Sequence, residues 1–198
     1  MSGPRLVFAL ALAALAGCQV SSSRPEPLAT PRMASDFESY EFRRVGLVPF
    51  AGQVTGEQQT ILQDAFLLEL SRASDHEIVR LGADDLAEVQ ESEPYRRGRY
   101  EPKTVLELCR RYSLDGVLVG TVTQLEPYPP QRLSLQLDLI ATETGMVVWS
   151  SSVQLDASEP RVRERLERGD EPQLALISPE RFARFAAQEI ALGLPGAR

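Results

Sequence analysis

The sequence predicts one α/β domain, of the α+β kind, in which helices pack against a mixed sheet of about five strands. Two patterns support this fold class. The first is a strand–helix–strand run over Arg44–Leu81 with the spacing of a right-handed parallel crossover. The second is a strict apolar–polar alternation along Leu133–Leu139, typical of a half-buried strand, followed by a hairpin turn and a further strand. The chain from Phe37 to Leu194 has no low-complexity break and no repeat, and about 158 residues suit one domain.

The first half of the domain begins with a buried strand over Arg44–Phe50, which contains Val45, Leu47 and Val48. Thr55 and Gln58 have the spacing of a capping box, so a helix is expected to start there and to run to about Ala73. Glu77–Leu81 follows as a strand that Gly82 closes. This order predicts two parallel strands connected by the helix.

The middle of the chain contains two predicted helices. Asp84–Glu91 is expected to form a short helix, and Glu93–Glu101 a loop. Pro102 suits the first turn of a helix that runs to Tyr112 with an apolar stripe. A strand over Val117–Leu125 follows the turn at Asp115-Gly116.

The last three strands are predicted to form an antiparallel meander. Tyr128–Pro130 makes the first turn, Leu133–Leu139 the next strand, and Glu143–Gly145 the second turn. The third strand is Val147–Leu155, with alternate residues on one face.

The C-terminal part is predicted to hold one helix. A polar segment, Ser158–Gln173, follows the meander. Ser178 then caps a helix with Pro179 in its first turn, and Gly193 and Pro195 end it.

The N-terminus is predicted to be a targeting sequence. Met1–Arg5 carries one positive charge, and Leu6–Ala16 is an apolar run of eleven residues, too short for a helix that spans a bilayer. It ends in Leu15-Ala16-Gly17-Cys18, which resembles the bacterial lipobox. The resemblance implies that Cys18 receives diacylglycerol and becomes the triacylated first residue of the mature protein. The alternative is an ordinary signal peptide with a cysteine there by chance.

Residue 19 and the following composition complete the predicted layout. In enteric-type bacteria a residue other than Asp after the lipid-bearing cysteine, here Gln19, directs a lipoprotein to the outer membrane. A Ser- and Pro-rich stretch then indicates a flexible linker. The expected segments are a signal peptide at 1–17, the lipidated terminus and linker at 18–36, the domain at 37–194 and a tail at 195–198.

The charge and the rare residue types exclude several function classes. With 21 basic and 28 acidic residues the chain has a net charge of −7, so nucleic acid is not an expected partner. An acidic protein is also repelled by anionic head groups, so the lipid on Cys18 must hold it at the membrane. With Cys18 lipidated, Cys109 has no partner for an intramolecular disulfide.

No catalytic centre, metal site or cofactor is predicted, apart from the covalent lipid. The one histidine, His76, lies in a turn and is expected to be solvated, and Cys109 lies on an apolar helix stripe and is expected to be buried. Asp84-Asp85 is expected to complement a helix dipole rather than to bind metal. No nucleophile, phosphate-binding or spaced His/Cys motif is present in the sequence.

One segment differs from its acidic surroundings and is the candidate site for a protein partner. It contains Tyr95, Arg96, Arg97, Arg99 and Tyr100, and Arg and Tyr are enriched at the energetic centres of interfaces. The alternative is a solvated loop whose arginines pair with nearby acids such as Glu91 and Glu93.

Four short motifs of the domain resemble one group of bacterial envelope proteins. They are Val48-Pro49-Phe50 at the end of the opening strand, Ile78–Leu81, Leu114–Val122, and the hairpin Thr142–Ser150. The group includes the curli-secretion protein CsgG, the penicillin-binding-protein activator LpoB, the flagellar lipoprotein FlgO and the N-terminal domain of TolB. In the hairpin and strand motifs, Gly116 and Gly145 are expected in turn conformations, Gly120 at a close approach of another element, and Trp149 in the core.

The resemblance and the anchor together predict a non-enzymatic binding or assembly module of the cell envelope. It would be anchored in the outer membrane, face the periplasm and bind a protein partner. One alternative is a subunit of an oligomeric secretion or envelope assembly complex. A carboxylate-based envelope hydrolase is the other, and it would need two acids that converge in a pocket.

Overall fold

The computed structural model describes residues 27–87, 95–96, 99–100, 102–167 and 178–195. The predicted signal peptide, Cys18 and the terminal tail lie outside the described residues. The strands are β1 (Ala29–Met33), β2 (Arg44–Leu47), β3 (Ala51–Gly52), β4 (Glu77–Arg80), β5 (Tyr95–Arg96), β6 (Arg99–Tyr100), β7 (Gly116–Glu126), β8 (Arg132–Ala141) and β9 (Val147–Asp156). The helices are α1 (Gly56–Ala73), α2 (Ala83–Ala87), α3 (Pro102–Tyr112), α4 (Pro160–Glu167) and α5 (Pro179–Ala191).

The main sheet is mixed, as predicted, and has the order β1-β9-β8-β7-β2-β4. β2 pairs in parallel with both β4 and β7, and α1 connects β2 to β4 on the predicted crossover path. β7, β8 and β9 form the predicted antiparallel meander. Among the described residues the sheet has seven strands rather than about five, because β1 and the short β3 also join it.

The folded unit begins earlier than the sequence predicts. Ala29–Met33, assigned to the linker, forms the edge strand β1, antiparallel to β9 with Ala29 opposite Val153 and Met33 opposite Trp149. Ala29 is buried, whereas the other four residues of β1 are exposed. Pro31, in the middle of this stretch, favoured the prediction of a linker. A proline is nevertheless tolerated on an edge strand, because the outer side of such a strand needs no hydrogen-bond donor.

The larger core lies on one face of the sheet, beneath α1, α4 and α5. Leu118, Leu135, Leu137 and Leu139 project from β7 and β8 into it, and Trp149 of β9 is buried there as predicted. The indole nitrogen of Trp149 donates a hydrogen bond to the Gly193 carbonyl at 2.9 Å. Each fully buried aliphatic or aromatic side chain of this kind contributes roughly 1.5–3 kcal/mol to folding.

On the opposite face of the sheet, the described helices cover only the part near β2 and β7. α2 and α3 bury Leu86, Val105, Leu108 and Cys109 against Val48, Val117 and Val119 of the central strands. Over β8 and β9 the same face carries the polar residues of the predicted alternation, Ser134, Gln136, Asp138, Ser152 and Gln154, which are half-buried or exposed.

Local signals in the sequence account for the helix ends. Thr55 and Gln58 form the predicted capping box at the start of α1. At the start of α5 the Ser178 hydroxyl accepts a hydrogen bond from the Arg181 amide at 3.3 Å, as its place before Pro179 predicts. The sequence predicts no element in the polar segment Ser158–Gln173, and α4 forms within it because Val162 and Leu166, four residues apart, are buried in the core.

Two of the three glycine predictions are confirmed. Gly145 has a φ of +67° in the β8–β9 turn, and a Cβ on Gly120 would lie 2.2 Å from the Phe50 ring. The prediction for Gly116 is wrong, because this residue is the first of β7 and does not have a positive φ. Its small size serves packing instead, since a Cβ there would lie 2.8 Å from the Phe42 ring.

Candidate functional site

The basic and aromatic segment forms a hairpin rather than the predicted loop. β5 and β6 pair as a two-stranded antiparallel sheet, with Tyr95 opposite Tyr100 and Arg96 opposite Arg99. Arg97 lies outside the described residues. The register therefore brings four of the five predicted docking residues together as two like pairs.

The chain that follows the hairpin extends its basic character. Residues 95–112, which include α3, contain six basic and two acidic residues, whereas the remaining chain contains 15 basic and 26 acidic ones. Arg110 and Arg111 at the end of α3 are exposed. This contiguous basic segment is the electrostatic feature that most distinguishes one part of the molecule from the rest.

His76 is not fully solvated, contrary to the prediction. It is half-buried beside Phe42, with the two rings 6.2 Å apart and inclined by 68°. The turn places it next to the aromatic cluster of Phe37, Tyr40 and Phe42. This contact could not be predicted from the sequence, because His76 and Phe42 lie in separate segments of the chain.

Cys109 is buried, as its place on the apolar stripe of α3 predicts. Burial raises the pKa of its thiol, and the Thr142 hydroxyl donates a hydrogen bond to the sulfur at 3.1 Å. A thiol with a raised pKa holds little thiolate at neutral pH and is a poor nucleophile.

Asp85 stabilises the start of α2. Its carboxylate accepts hydrogen bonds from the Tyr112 hydroxyl and from the Gly82 amide. These two bonds lower the pKa of Asp85. The predicted role for Asp84-Asp85 at a helix start is therefore carried by Asp85, which also connects α2 to α3.

Within the described ranges, no group of three or more His, Cys, Asp or Glu side chains is arranged to hold a metal ion. The same ranges contain no helix that is both long and apolar enough to cross a membrane.

Two buried carboxylates were not predicted from the sequence. Glu69 of α1 accepts a hydrogen bond from Arg184 of α5 at 2.6 Å, which joins the two helices. Glu189 of α5 contacts Arg165 of α4 at 2.8 Å and accepts a bond from the Leu28 amide at 3.1 Å. Burial raises the pKa of Glu189. Its position seven residues after Phe182 places it on the apolar face of α5, and this spacing was a signal for burial.

An apolar groove opens at one end of the sheet, between the first turns of α1 and α5. Its enclosed volume is about 20 Å³, room for roughly one water molecule. The residues that line it are Gln58, Ile61, Leu62, Leu125, Pro127, Gln131, Leu133, Pro179, Phe182 and Ala183. The β7–β8 turn that carries Tyr128 forms one side of this groove.

No family model matches the chain, and no curated protein matches it. Among solved structures it is similar to PelC from Paraburkholderia phytofirmans, described as a dodecamer, with 14% identity over 82% of this chain and 97% of that chain and a TM-score of 0.48.

Two further solved structures are similar over shorter spans. Lipoprotein GNA1162 from Neisseria meningitidis has 17% identity over 57% of this chain and 79% of that chain, with a TM-score of 0.45. The C-terminal domain of LpoB from Escherichia coli has 16% identity over 57% of this chain and 82% of that chain, with a TM-score of 0.39. LpoB is one of the proteins whose motifs the sequence resembles, and the resemblance to CsgG and FlgO stays a prediction.

Proposed function

We propose that the protein is a lipid-anchored binding module of the bacterial cell envelope, without catalytic activity, that docks an acidic protein partner on the hairpin of β5 and β6. The observation that carries the proposal is the contiguous basic segment at residues 95–112 in a chain of net charge −7. An interaction surface of this kind attracts an acidic partner from a distance and orients it.

The hairpin residues have the chemistry that such a surface requires. Guanidinium groups make bidentate, charge-assisted bonds to carboxylates, and tyrosines cover apolar area at low entropic cost. The register of β5 and β6 holds Arg96 opposite Arg99 and Tyr95 opposite Tyr100, so the backbone arranges them before binding. A preorganised surface loses less entropy when the partner docks.

The anchor part of the proposal depends on Cys18. An eleven-residue apolar run leads into Leu15-Ala16-Gly17-Cys18, and this order is typical of a lipidated N-terminus. Gln19 favours the outer membrane, facing the periplasm. Replacing Cys18 by Ser should block lipidation and processing, which mass spectrometry of the membrane fraction would detect. A processed Cys18→Ser protein that stays in membranes after a carbonate wash would contradict this assignment.

The docking surface is tested by the triple variant Arg96→Ser, Arg97→Ser, Arg99→Ser. We expect its melting temperature to stay within a few degrees of the wild type, because β5 and β6 do not belong to the main sheet. Recovery of partners cross-linked in intact cells should fall, and the loss should be larger at low salt, where charge attraction is strongest.

A second triple variant controls for the change in net charge. Arg43, Arg161 and Arg163 lie outside the hairpin with side chains 84%, 67% and 63% exposed, and their replacement by Ser removes the same three charges. If both triple variants recover the same partners at equal yield, the hairpin is not the docking surface.

A further inference from the structure

The turn between β7 and β8 carries an unusual exposed side chain. Tyr128 is 80% exposed, more than the other exposed large hydrophobic side chains of residues 27–87, 105–167 and 178–195. The turn consists of Pro127, Tyr128, Pro129, Pro130 and Gln131, and none of these residues is charged. In a chain with 25% charged residues, an uncharged aromatic tip is a candidate contact with an uncharged surface.

The register of the sheet places this turn at the end where the chain enters the domain. Ala29 of β1 lies opposite Val153, which lies opposite Leu135, which in turn lies opposite Val122. Because β1 begins at Ala29 and β7 ends at Glu126, the start of β1 and the β7–β8 turn lie at the same end of the sheet. The Leu28 amide is held there by Glu189.

The chain between the anchor and the domain is short. If Cys18 carries the lipid, as the proposed function holds, ten residue steps separate it from Leu28. Fully extended, they span at most about 35 Å, and as a flexible chain they span roughly 17 Å. A ten-residue strand is itself about 33 Å long. The end of the sheet with Tyr128 is therefore held close to the bilayer, and the opposite end lies farther away.

We propose that the turn Pro127–Gln131 docks on the membrane that holds the lipid anchor, with Tyr128 placed among the lipid head groups. A tyrosine is suited to this depth because its ring is apolar and its hydroxyl can bond to head groups and water. The inference rests on the proposed lipidation of Cys18.

The backbone of the turn is suited to partial loss of water. Pro127, Pro129 and Pro130 have no N–H group, so fewer donors lose a partner when the tip leaves water. The Pro127 carbonyl accepts a hydrogen bond from the Gln131 side chain at 3.1 Å. Fewer donors of the turn, and not the Pro127 carbonyl, therefore depend on bonds from water.

The charges beside the turn determine which lipid surface fits. Arg132 lies between Asp156 at 2.8 Å and Glu126 at 3.8 Å, so its positive charge is neutralised within the protein. Among the described residues, no excess of positive charge adjoins the turn to attract anionic lipid. The expected surface is therefore the zwitterionic head-group layer, which the aromatic ring contacts.

The test uses the full lipidated protein in vesicles of zwitterionic lipid that carry a spin label or bromine near the head group. Tyr128→Trp places a fluorophore at the turn, and Met146→Trp places one at the opposite end of the sheet, where Met146 is 65% exposed. Both variants retain the buried Trp149 as a common background. We expect a blue shift and lipid quenching for Tyr128→Trp, no quenching for Met146→Trp, and no gain on adding anionic lipid.

The outcomes separate this inference from the proposed function. If the wild-type protein floats with vesicles but Tyr128→Trp keeps a water-like emission and is not quenched, the turn does not dock and the anchor stands. Equal quenching of both variants also overturns the inference. If the wild-type protein with a free, unmodified Cys18 is what cells produce, the proposed anchor fails and this inference fails with it.

Discussion

Gly120 shows how one missing side chain determines the packing of the central strand. The Phe50 ring lies directly over β7 at this position, and a Cβ would meet its Cε1 and Cδ1 atoms at 2.2 and 2.3 Å. Phe50 is fully buried, and its ring packs against the buried Phe66 of α1 with the ring centroids 4.9 Å apart and the planes inclined by 58°. We expect Gly120→Ala to lower the free energy of unfolding by about 2–3 kcal/mol through overpacking.

Gly56 offers the matched control for this prediction. It begins α1, and a Cβ there would have no heavy atom within 4 Å. Gly56→Ala should leave stability unchanged or raise it by up to about 1 kcal/mol, because alanine restricts the unfolded chain. Urea denaturation followed by Trp149 fluorescence measures both variants. Equal urea midpoints for the two variants would show that the Phe50 ring can move to accommodate the added Cβ.

At the scale of single residues, the sequence predicts which residues are tightly packed better than it predicts which distant residues meet. Gly120 and Trp149 were assigned correctly because a glycine within a strand typically marks a close approach of another element, and a tryptophan on an apolar face is typically part of the core. The half-burial of His76 could not be predicted, because Phe42 and His76 meet only after β2 and β4 have paired.

Among the secondary-structure elements, β1 is held at its start by a carboxylate in addition to its pairing with β9. Glu189 accepts the Leu28 amide at the start of β1 and pairs with Arg165, whose side chain is only 17% exposed. Glu189→Ala would leave both groups without this acceptor. We expect a loss of roughly 1–3 kcal/mol in unfolding free energy, because the part-buried Leu28 amide and the Arg165 guanidinium each lose a charged acceptor.

Limited proteolysis can detect the local effect of that change. Arg32 in β1 is exposed and provides a trypsin site. In Glu189→Ala the start of β1 should detach more often, so cleavage after Arg32 should accelerate by more than global unfolding accounts for. Gln188→Ala, the exposed neighbour on the same helix, is the control and should be cleaved at the wild-type rate. Identical cleavage of the two variants would show that other contacts hold β1.

The elements that the sequence predicted correctly carry their own local signals. α1 and α5 have caps and apolar stripes, and the meander has strict alternation and a turn glycine. β1 and α4 lack such signals, because most of their residues are exposed and a few contacts with the larger core stabilise them. The candidate hairpin was recognised by composition alone, and its pairing required knowledge of the backbone register.

Across the whole molecule, the two proposed surfaces belong to different parts of the fold. The Tyr128 turn lies at the end of the sheet where the anchored chain enters, and it is uncharged. The hairpin precedes α3, which packs on the opposite face of the sheet from α1 and α5, and it is strongly basic. Under the two proposals, the lipid contact and the protein contact therefore use different segments of the chain.

The response of the molecule to acid follows from its carboxylates, and Asp156 is one whose pKa is lowered. Bonds from the Ser158 hydroxyl and amide, and then from Arg132, lower the pKa of Asp156 from 3.8 to about 2. A carboxylate with a lowered folded-state pKa stabilises the fold above its unfolded value, and this contribution is lost as the pH falls. Stability should therefore decline between pH 3.8 and about 2.

Replacement of Asp156 by Asn should flatten that decline, because the amide does not titrate. The variant should be less stable than the wild type at neutral pH, where Arg132 loses its 2.8 Å partner, and the difference should shrink as the pH falls toward 2.

Glu189→Gln provides a contrast of opposite sign. Burial raises the pKa of Glu189 above its ordinary 4.5. Ionisation of Glu189 is therefore less favourable in the folded state than in the unfolded state, and the free energy of unfolding falls as the pH rises above 4.5. Urea midpoints measured from about pH 2 to 7 for the three proteins test this account, and parallel curves for the wild type and Asp156→Asn would contradict it.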